Sequence, residues 1–221
     1  MTATVAPDPP LALLAELTHR CPLRCPYCSN PVDLTRPGGE LDTATWARVF
    51  REAAGLGCLQ VHLSGGEPVA RRDIAELVRA ASGAGLYTNL ITSGVLLDAA
   101  RLAALAEAGL DHVQLSVQDA EPGSADRIGG YAGGHARKLA AARLVREAGL
   151  PLTLNAVVHR QNLDRLPALV DLAVELGAGR LEVAHVQYST TAGRSPTGRR
   201  CCRRGRSSTR RRRRSRRRAP P

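Results

Sequence analysis

The chain has 221 residues, 43% of them hydrophobic, which suffices for one large domain with its own core; no stretch reaches the roughly 18 consecutive apolar residues of a membrane-crossing helix. The formal charge of +11 suggests nucleic acid until it is located: residues 189–221 hold 14 of the 31 basic side chains and none of the 20 acidic ones, leaving residues 1–188 with 17 basic against 20 acidic. A mildly acidic body excludes a phosphate-binding surface spread over the whole fold.

Residues 1–10 are Pro-rich and expected to be disordered; they lack the basic start and apolar centre of a secretion signal, so the expected compartment is the cytoplasm. A first strand is expected over residues 11–17. It enters Cys21-Pro22-Leu23-Arg24-Cys25-Pro26-Tyr27-Cys28, where Pro22 and Pro26 keep the loop from turning helical. Irregular chain then runs through Ser29-Asn30-Pro31 and Pro37-Gly38-Gly39 until Asp42 or Thr43 caps a helix. Trp46, Val49, Phe50 and Ala53 share a face of that helix, and Gly55 and Gly57 end it.

Residues 58–64 read as a second strand leading into Gly65-Gly66-Glu67-Pro68, whose glycines can bring their backbone close to a ligand. Then follow a helix over 73–82, a strand over 86–92 ending at Ser93-Gly94, a helix over 98–108 and a strand over 112–117. After a glycine-rich loop the pattern continues with a helix over 135–148, a strand over 152–158, a helix over 163–176 and a strand over 181–186. Gly85, Gly109, Gly149 and Gly177 or Gly179 stand where helices should stop. Such alternation predicts an α/β fold, a parallel sheet with right-handed crossovers, and ligands at the carboxyl ends of its strands. The cysteine loop, Gly65 to Pro68, Ser93-Gly94, Ser116 to Asp119 and His159 all follow strand ends.

In a reducing compartment clustered thiols bind metal more often than they pair. Three thiolates on a non-helical loop can hold a four-iron cluster and leave one iron open, the arrangement of a reactive centre and not a structural one. The other reading is a structural zinc knot with His19 as fourth ligand, in a non-enzymatic zinc- and nucleic-acid-binding protein whose Arg-rich tail is the nucleic-acid arm. Cys58 reads as a small buried hydrophobe, and His19, His62, His112, His159 and His185 as structural.

CxxxCxxC with Tyr27 before the last Cys, then Gly-Gly-Glu-Pro after the second strand, resembles the radical S-adenosylmethionine superfamily. The likeness takes in Glu16-Leu17-Thr18, residues 21–31, Gln114 to Asp119, residues 152–162 and residues 181–188, and covers about residues 10–188. Within the superfamily it is similar to the branch that acts in pyrroloquinoline quinone biosynthesis. The resemblance implies a core domain over 11–188 built as a partial (β/α)6, TIM-like barrel. It also makes Cys21, Cys25 and Cys28 the ligands of a [4Fe-4S] cluster. Gly65, Gly66 and Glu67 then receive the methionyl amino group of S-adenosyl-L-methionine, largely through backbone oxygens. Tyr27 lies by the adenine through its main chain, and Ser116 and Asn155 are candidates for the ribose hydroxyls, against their ordinary use as backbone caps.

By the same resemblance, S-adenosylmethionine is cleaved reductively to a radical that abstracts a substrate hydrogen. The implied substrate is the precursor peptide PqqA, in which a glutamate side-chain carbon is joined to a tyrosine ring carbon. The implied partners are the peptide chaperone PqqD and a flavodoxin-type reductant.

Residues 189–221 contain no Leu, Ile, Val, Phe or Trp, so no core is expected there. The tail, with Cys201 and Cys202, also lacks the interleaved aromatics that stack on bases. Read one base out of register, the codons of residues 191–200 can spell Tyr-Gly-Trp-Ala-Leu-Ala-Asn-Arg-Ala-Ala, the continuation the resemblance implies. The tail is therefore expected to be a disordered frameshift product in place of an auxiliary-cluster domain, and the chain an incomplete form.

Overall fold

The computed structural model describes residues 8–28 and 39–186. The expectations for most of residues 1–10, for 29–38 and for 187–221, including the tail, lie outside the described residues. Six strands, β1 (Ala12–Glu16), β2 (Gln60–Ser64), β3 (Tyr87–Thr92), β4 (His112–Val117), β5 (Leu152–Val158) and β6 (Arg180–His185), pair in parallel in sequence order. The connections carry α1 (Thr43–Gly55), α2 (Ile74–Gly83), α3 (Ala99–Glu107), α4 (Pro122–Gly129), α5 (Gly134–Glu147) and α6 (Leu166–Glu175). A sheet whose order never reverses, crossed each time with one hand, collects its helices on one face. With β1 and β6 unpaired to each other, the barrel is partial.

The helix ends follow the capping chemistry legible in the sequence. Asp42 accepts from the Thr45 N–H at 2.8 Å and Asp98 from the Arg101 N–H at 2.8 Å. Two expectations need correction. The glycine-rich loop after β4 contains α4, capped by Glu121, which accepts from the Gly123 and Ser124 N–H groups, with Pro122 opening the helix. Its buried side, with Ala125 and Ile128, outweighs the propensity cost of Gly123 and Gly129. The helix expected over 163–176 is a 3-10 turn, Leu163–Arg165, followed by α6, because Pro167 lacks an N–H and belongs in a first helical turn.

The register divides the sheet into two faces. Val61, Leu63, Leu90, Val113, Leu115, Leu152 and Leu154 are buried under the helices against Phe50, Leu77, Leu105, Val145 and Leu169. Each such side chain contributes about 1.5–3 kcal/mol of hydrophobic stabilisation. The other face is polar. His62 and Asn89 are in contact at 2.9 Å, Asn89 donates to Gln114 at 3.3 Å, and Gln114 reaches over β5 to Glu182 at 2.9 Å. Among the described residues no helix is long and apolar enough to cross a membrane.

Candidate metal centre

The chain that leaves β1 toward the cysteines is held against the β2 turn by three backbone bonds. Leu17 N–H donates to Ser64 at 2.9 Å, Gly66 N–H to Thr18 at 2.6 Å and Glu67 N–H to Arg20 at 2.8 Å. A Cβ on Gly65, whose φ is +134°, would stand 2.3 Å from the Thr18 carbonyl oxygen, and one on Gly66 would stand 2.6 Å from that of Arg20. The close approach that these glycines permit is therefore made by the protein's own chain entering the cysteine loop.

Glu67 is fully buried and both its carboxylate oxygens are engaged. One accepts from Val69 N–H at 3.1 Å and Thr92 Oγ1 at 2.6 Å; the other accepts from Ser93 N–H at 2.8 Å and from the Ser93 hydroxyl. The side chain thus joins the ends of β2 and β3, and what Glu67 can offer a ligand is main chain. Nearby, Arg71 donates to the Leu17 carbonyl at 2.9 Å and the Leu41 carbonyl at 3.0 Å, and grips Asp73 at 2.9 and 2.6 Å. Its guanidinium holds the Asp73 carboxyl down to about 2. Glu40 accepts from the Thr18 hydroxyl and pairs with Arg20 at 3.1 Å, which ties the start of the loop to the approach of α1.

From this anchored stem the cysteine loop crosses to the β4 side, where Arg24 N–H donates to Gly129 at 2.8 Å. Cys28 N–H turns back onto the Cys25 carbonyl at 3.1 Å. Cys21 and Cys28 reach solvent and Cys25 is half-buried. The three thiols are electrostatic neighbours. Protein crowding on its inner side pushes Cys21 up to about 11, and the charges of Glu67, Cys25 and Cys28 add to the rise. Burial also raises Cys25, against the opposing charge of Lys138.

No three side chains of His, Cys, Asp or Glu among the described residues converge on a single ion. A zinc knot needs such convergence and finds no support. A cubane asks for something else: each thiolate sits on a different iron, so its sulfurs stand farther apart than around one ion. Soft donors in close company, free of helix and strand and open to solvent on one side, fit that group.

Over the loop, the Tyr27 ring lies 5.3 Å from that of His159. Its hydroxyl is within hydrogen-bonding reach of Gln118 and Cys25, and burial raises its pKa. The ends of β4 and β5 are joined by Asn162, fully buried, which donates to the carbonyls of Gln118 at 2.8 Å and Val157 at 3.0 Å and accepts from His159 N–H at 2.8 Å. Arg165 grips Asp119 at 2.8 and 2.9 Å and reaches Ser124 at 3.0 Å. At these strand ends Gln118 Oε1 and His159 Nε2 have no partner among the described residues, and the same holds for His19 Nδ1, Trp46 Nε1 and Asn89 Oδ1 elsewhere.

Of the residues expected at the site, Cys21, Cys25, Cys28, Tyr27, Gly65, Gly66 and Glu67 come together. Ser116 and Asn155 are paired in register on the uncovered face, next to the β4 and β5 ends. The Asn155 amide contacts Glu182 at 3.4 Å. Sequence reasoning put Gln118 and His159 at strand ends, reading His159 as structural and giving Gln118 no role of its own, and it did not single out Asn162, Arg71 or Lys138. Lys138 had left a signal: it interrupts the apolar part of the buried stripe formed with His135, Ala141, Ala142 and Val145 on α5.

The sequence profile of the radical SAM superfamily matches residues 15–173. The chain is 64% identical over 182 residues to the PqqA peptide cyclase of Gluconobacter oxydans (strain 621H), covering 82% of this chain and 51% of that relative. To the PqqA peptide cyclase of Methylobacterium sp. (strain 4-46) it is 65% identical over 189 residues, 85% of this chain and 50% of the relative. The chain thus spans about half the length of the curated relatives it matches. Among solved structures, Streptococcus suis SuiB bound to S-adenosylmethionine superposes with a TM-score of 0.74 at 26% identity, over 83% of this chain and 42% of that one. SuiB bound to the precursor peptide SuiA gives 0.73 at 26%, over 81% and 40%. The superfamily works with a [4Fe-4S] cluster and S-adenosylmethionine. Its profile runs from β1 through α6 and so takes in the cysteine loop, the Gly65 turn and every strand end that meets them: the chain belongs to the radical S-adenosylmethionine superfamily.

Proposed function

We propose that residues 11–188 are the cluster- and S-adenosylmethionine-binding core of an enzyme of pyrroloquinoline quinone biosynthesis, one that joins a glutamate carbon to a tyrosine ring carbon in the precursor peptide PqqA. Cys21, Cys25 and Cys28 hold the cluster. The observation that carries this is the seating of the CxxxCxxC loop on the Gly65 turn, where Gly66 N–H and Glu67 N–H donate to the carbonyls of Thr18 and Arg20 that lead into Cys21. The identity to PqqA peptide cyclases adds the substrate. When bound, the cluster and S-adenosylmethionine supply the one-electron chemistry that removes a hydrogen atom from a peptide carbon.

The protein's part is to bind, orient and exclude water. Among the described residues nothing donates to the carbonyls of Gly65 and Gly66, so both can accept from an amine. Tyr27, Ser116 and Asn155 bound the place where the nucleoside half would lie, Tyr27 through its main chain. The polar row from His62 to Glu182 faces the uncovered side of the sheet, where a peptide can enter. PqqD as peptide chaperone, a flavodoxin-type electron donor and a cytoplasmic setting complete the reading; a reducing compartment keeps clustered thiols free for metal.

Residues 189–221 remain, in this reading, the product of a shifted reading frame in place of an auxiliary-cluster domain. The nucleotide sequence around codon 190 tests that: an alternative frame that does not continue the relatives' sequence overturns it. Anaerobic reconstitution of the full chain tests the core. The expected result is brown protein with about four irons and four sulfides per chain. Release of 5′-deoxyadenosine on reduction is expected too, without cross-linked PqqA. Stoichiometric zinc in place of iron overturns the reading.

A further inference from the structure

Lys138 is 2% exposed, in the second turn of α5, and its Nζ donates to the Ser116 carbonyl at 2.9 Å. An ammonium has three donors, and here one acceptor is provided. Among the described residues no carboxylate stands within ion-pair distance of it. A buried cation without a counterion is costly, and such a site is stabilised by whatever anion is brought to it. The anionic groups that act on Lys138 are, in order, Cys25, Glu67, Cys21 and Asp126, and the Asp126 carboxylate already accepts from the Gly133 and His135 N–H groups. Glu67 is already engaged by Val69, Thr92 and Ser93. The thiols remain, and of all charges acting on Cys25, that of Lys138 is the largest.

We propose that Lys138 supplies the buried positive charge that makes a cluster held by Cys21, Cys25 and Cys28 easier to reduce. This rests on the cofactor reading above and goes beyond it in assigning a residue outside the ligand loop. Reduction by an external low-potential donor adds one electron and neither makes nor breaks a bond. The reduced cluster carries one more negative charge than the oxidised one, so a nearby fixed cation stabilises it more, the more so where water is excluded. Burial lowers the pKa of Lys138, and the anionic groups around it, Cys25 first, oppose that fall and favour its charged form.

The test is a potentiometric titration, followed by electron paramagnetic resonance, of the reconstituted full chain without S-adenosylmethionine. K138Q keeps a donor for the Ser116 carbonyl and removes the charge; K138R keeps the charge. The expected result is equal iron content in all three proteins, a midpoint in K138Q shifted to more negative potential, and one in K138R close to that of the unaltered chain. An unshifted K138Q midpoint, or an equal shift in both variants, overturns the inference and leaves the proposed function standing. Should K138Q take up no iron, K138M serves in its place, since an apolar side chain of similar length suits a buried site. An unaltered chain that assembles no cluster overturns both.

Discussion

On the β1 to β3 side of the strand ends, Glu67 and Arg71 are buried and each of their polar side-chain atoms has a partner. On the β4 to β5 side, Gln118, Lys138 and His159 are buried as deeply, at 3%, 2% and 7% exposure, and keep unused capacity. Buried polar groups are as a rule hydrogen-bonded, so an unsatisfied one asks for a group the bare chain does not supply. The first side, where His19 Nδ1, Trp46 Nε1 and Asn89 Oδ1 also lack a partner, builds the mount for the cysteine loop through Glu67 and Arg71, and the second meets what the loop carries. Asn162, fully satisfied, is the structural member of the second side.

The sharpest way to break the mount is Gly65→Ala. Its Cβ would enter the Thr18 carbonyl at 2.3 Å with φ at +134°, and the atom it meets is backbone, which cannot swing aside. A loss of about 3 kcal/mol or more in urea unfolding is expected, together with loss of iron uptake. Asn162→Ala strips three hydrogen bonds from the β4 and β5 ends and should cost about 2 kcal/mol. Since Asn162 makes none of the bonds that anchor the cysteine stem, iron uptake should persist; if it vanishes, the two sides are one mechanical unit and the comparison fails.

Asp73 gives a pH handle on the mount. Its folded pKa of about 2 lies below the usual 3.8, so its pairing with Arg71 stabilises the fold above about pH 4 and the contribution is lost as pH falls toward 2. Allowing for partial exposure, it is worth about 1–2 kcal/mol. Asp73→Asn should lower stability by that amount at neutral pH and flatten the acid limb of the stability profile between pH about 4 and about 2.

The comparison also explains what the sequence could and could not reveal. The bounds of β4 and β5 were legible from apolar alternation, and the starts of α1 and α3 from Asp42 and Asp98. The helix α4 was hidden by its glycines, although Glu121-Pro122 is a start signal. Roles that depend on strand ends far apart in the chain were not legible: Glu67 bonds to residues 25 and 26 positions on, and Asn162 to one 44 positions back. The Gly-Gly-Glu-Pro motif was recognisable, but not that its glycines are crowded by residues 18–20 and its carboxylate occupied by Ser93.

Gln118→Met sharpens the comparison from the other side and has the smallest expected effect on the fold. Gln118 Oε1 accepts nothing among the described residues, so an apolar side chain of similar length removes an unsatisfied group and loses only the amide's reach to the Tyr27 hydroxyl. Unfolding stability should stay within about 0.5 kcal/mol of the unaltered chain, because deleting an unpaired buried polar atom offsets the loss of one contact. If Oε1 awaits a donor from a bound nucleoside, S-adenosylmethionine should bind about tenfold more weakly to the reconstituted variant, one hydrogen bond's worth, by calorimetry. Equal binding with unchanged stability would make Gln118 a spectator and confine the unsatisfied side to Lys138 and His159. A large loss of stability would move Gln118 to the structural side, with Glu67 and Asn162.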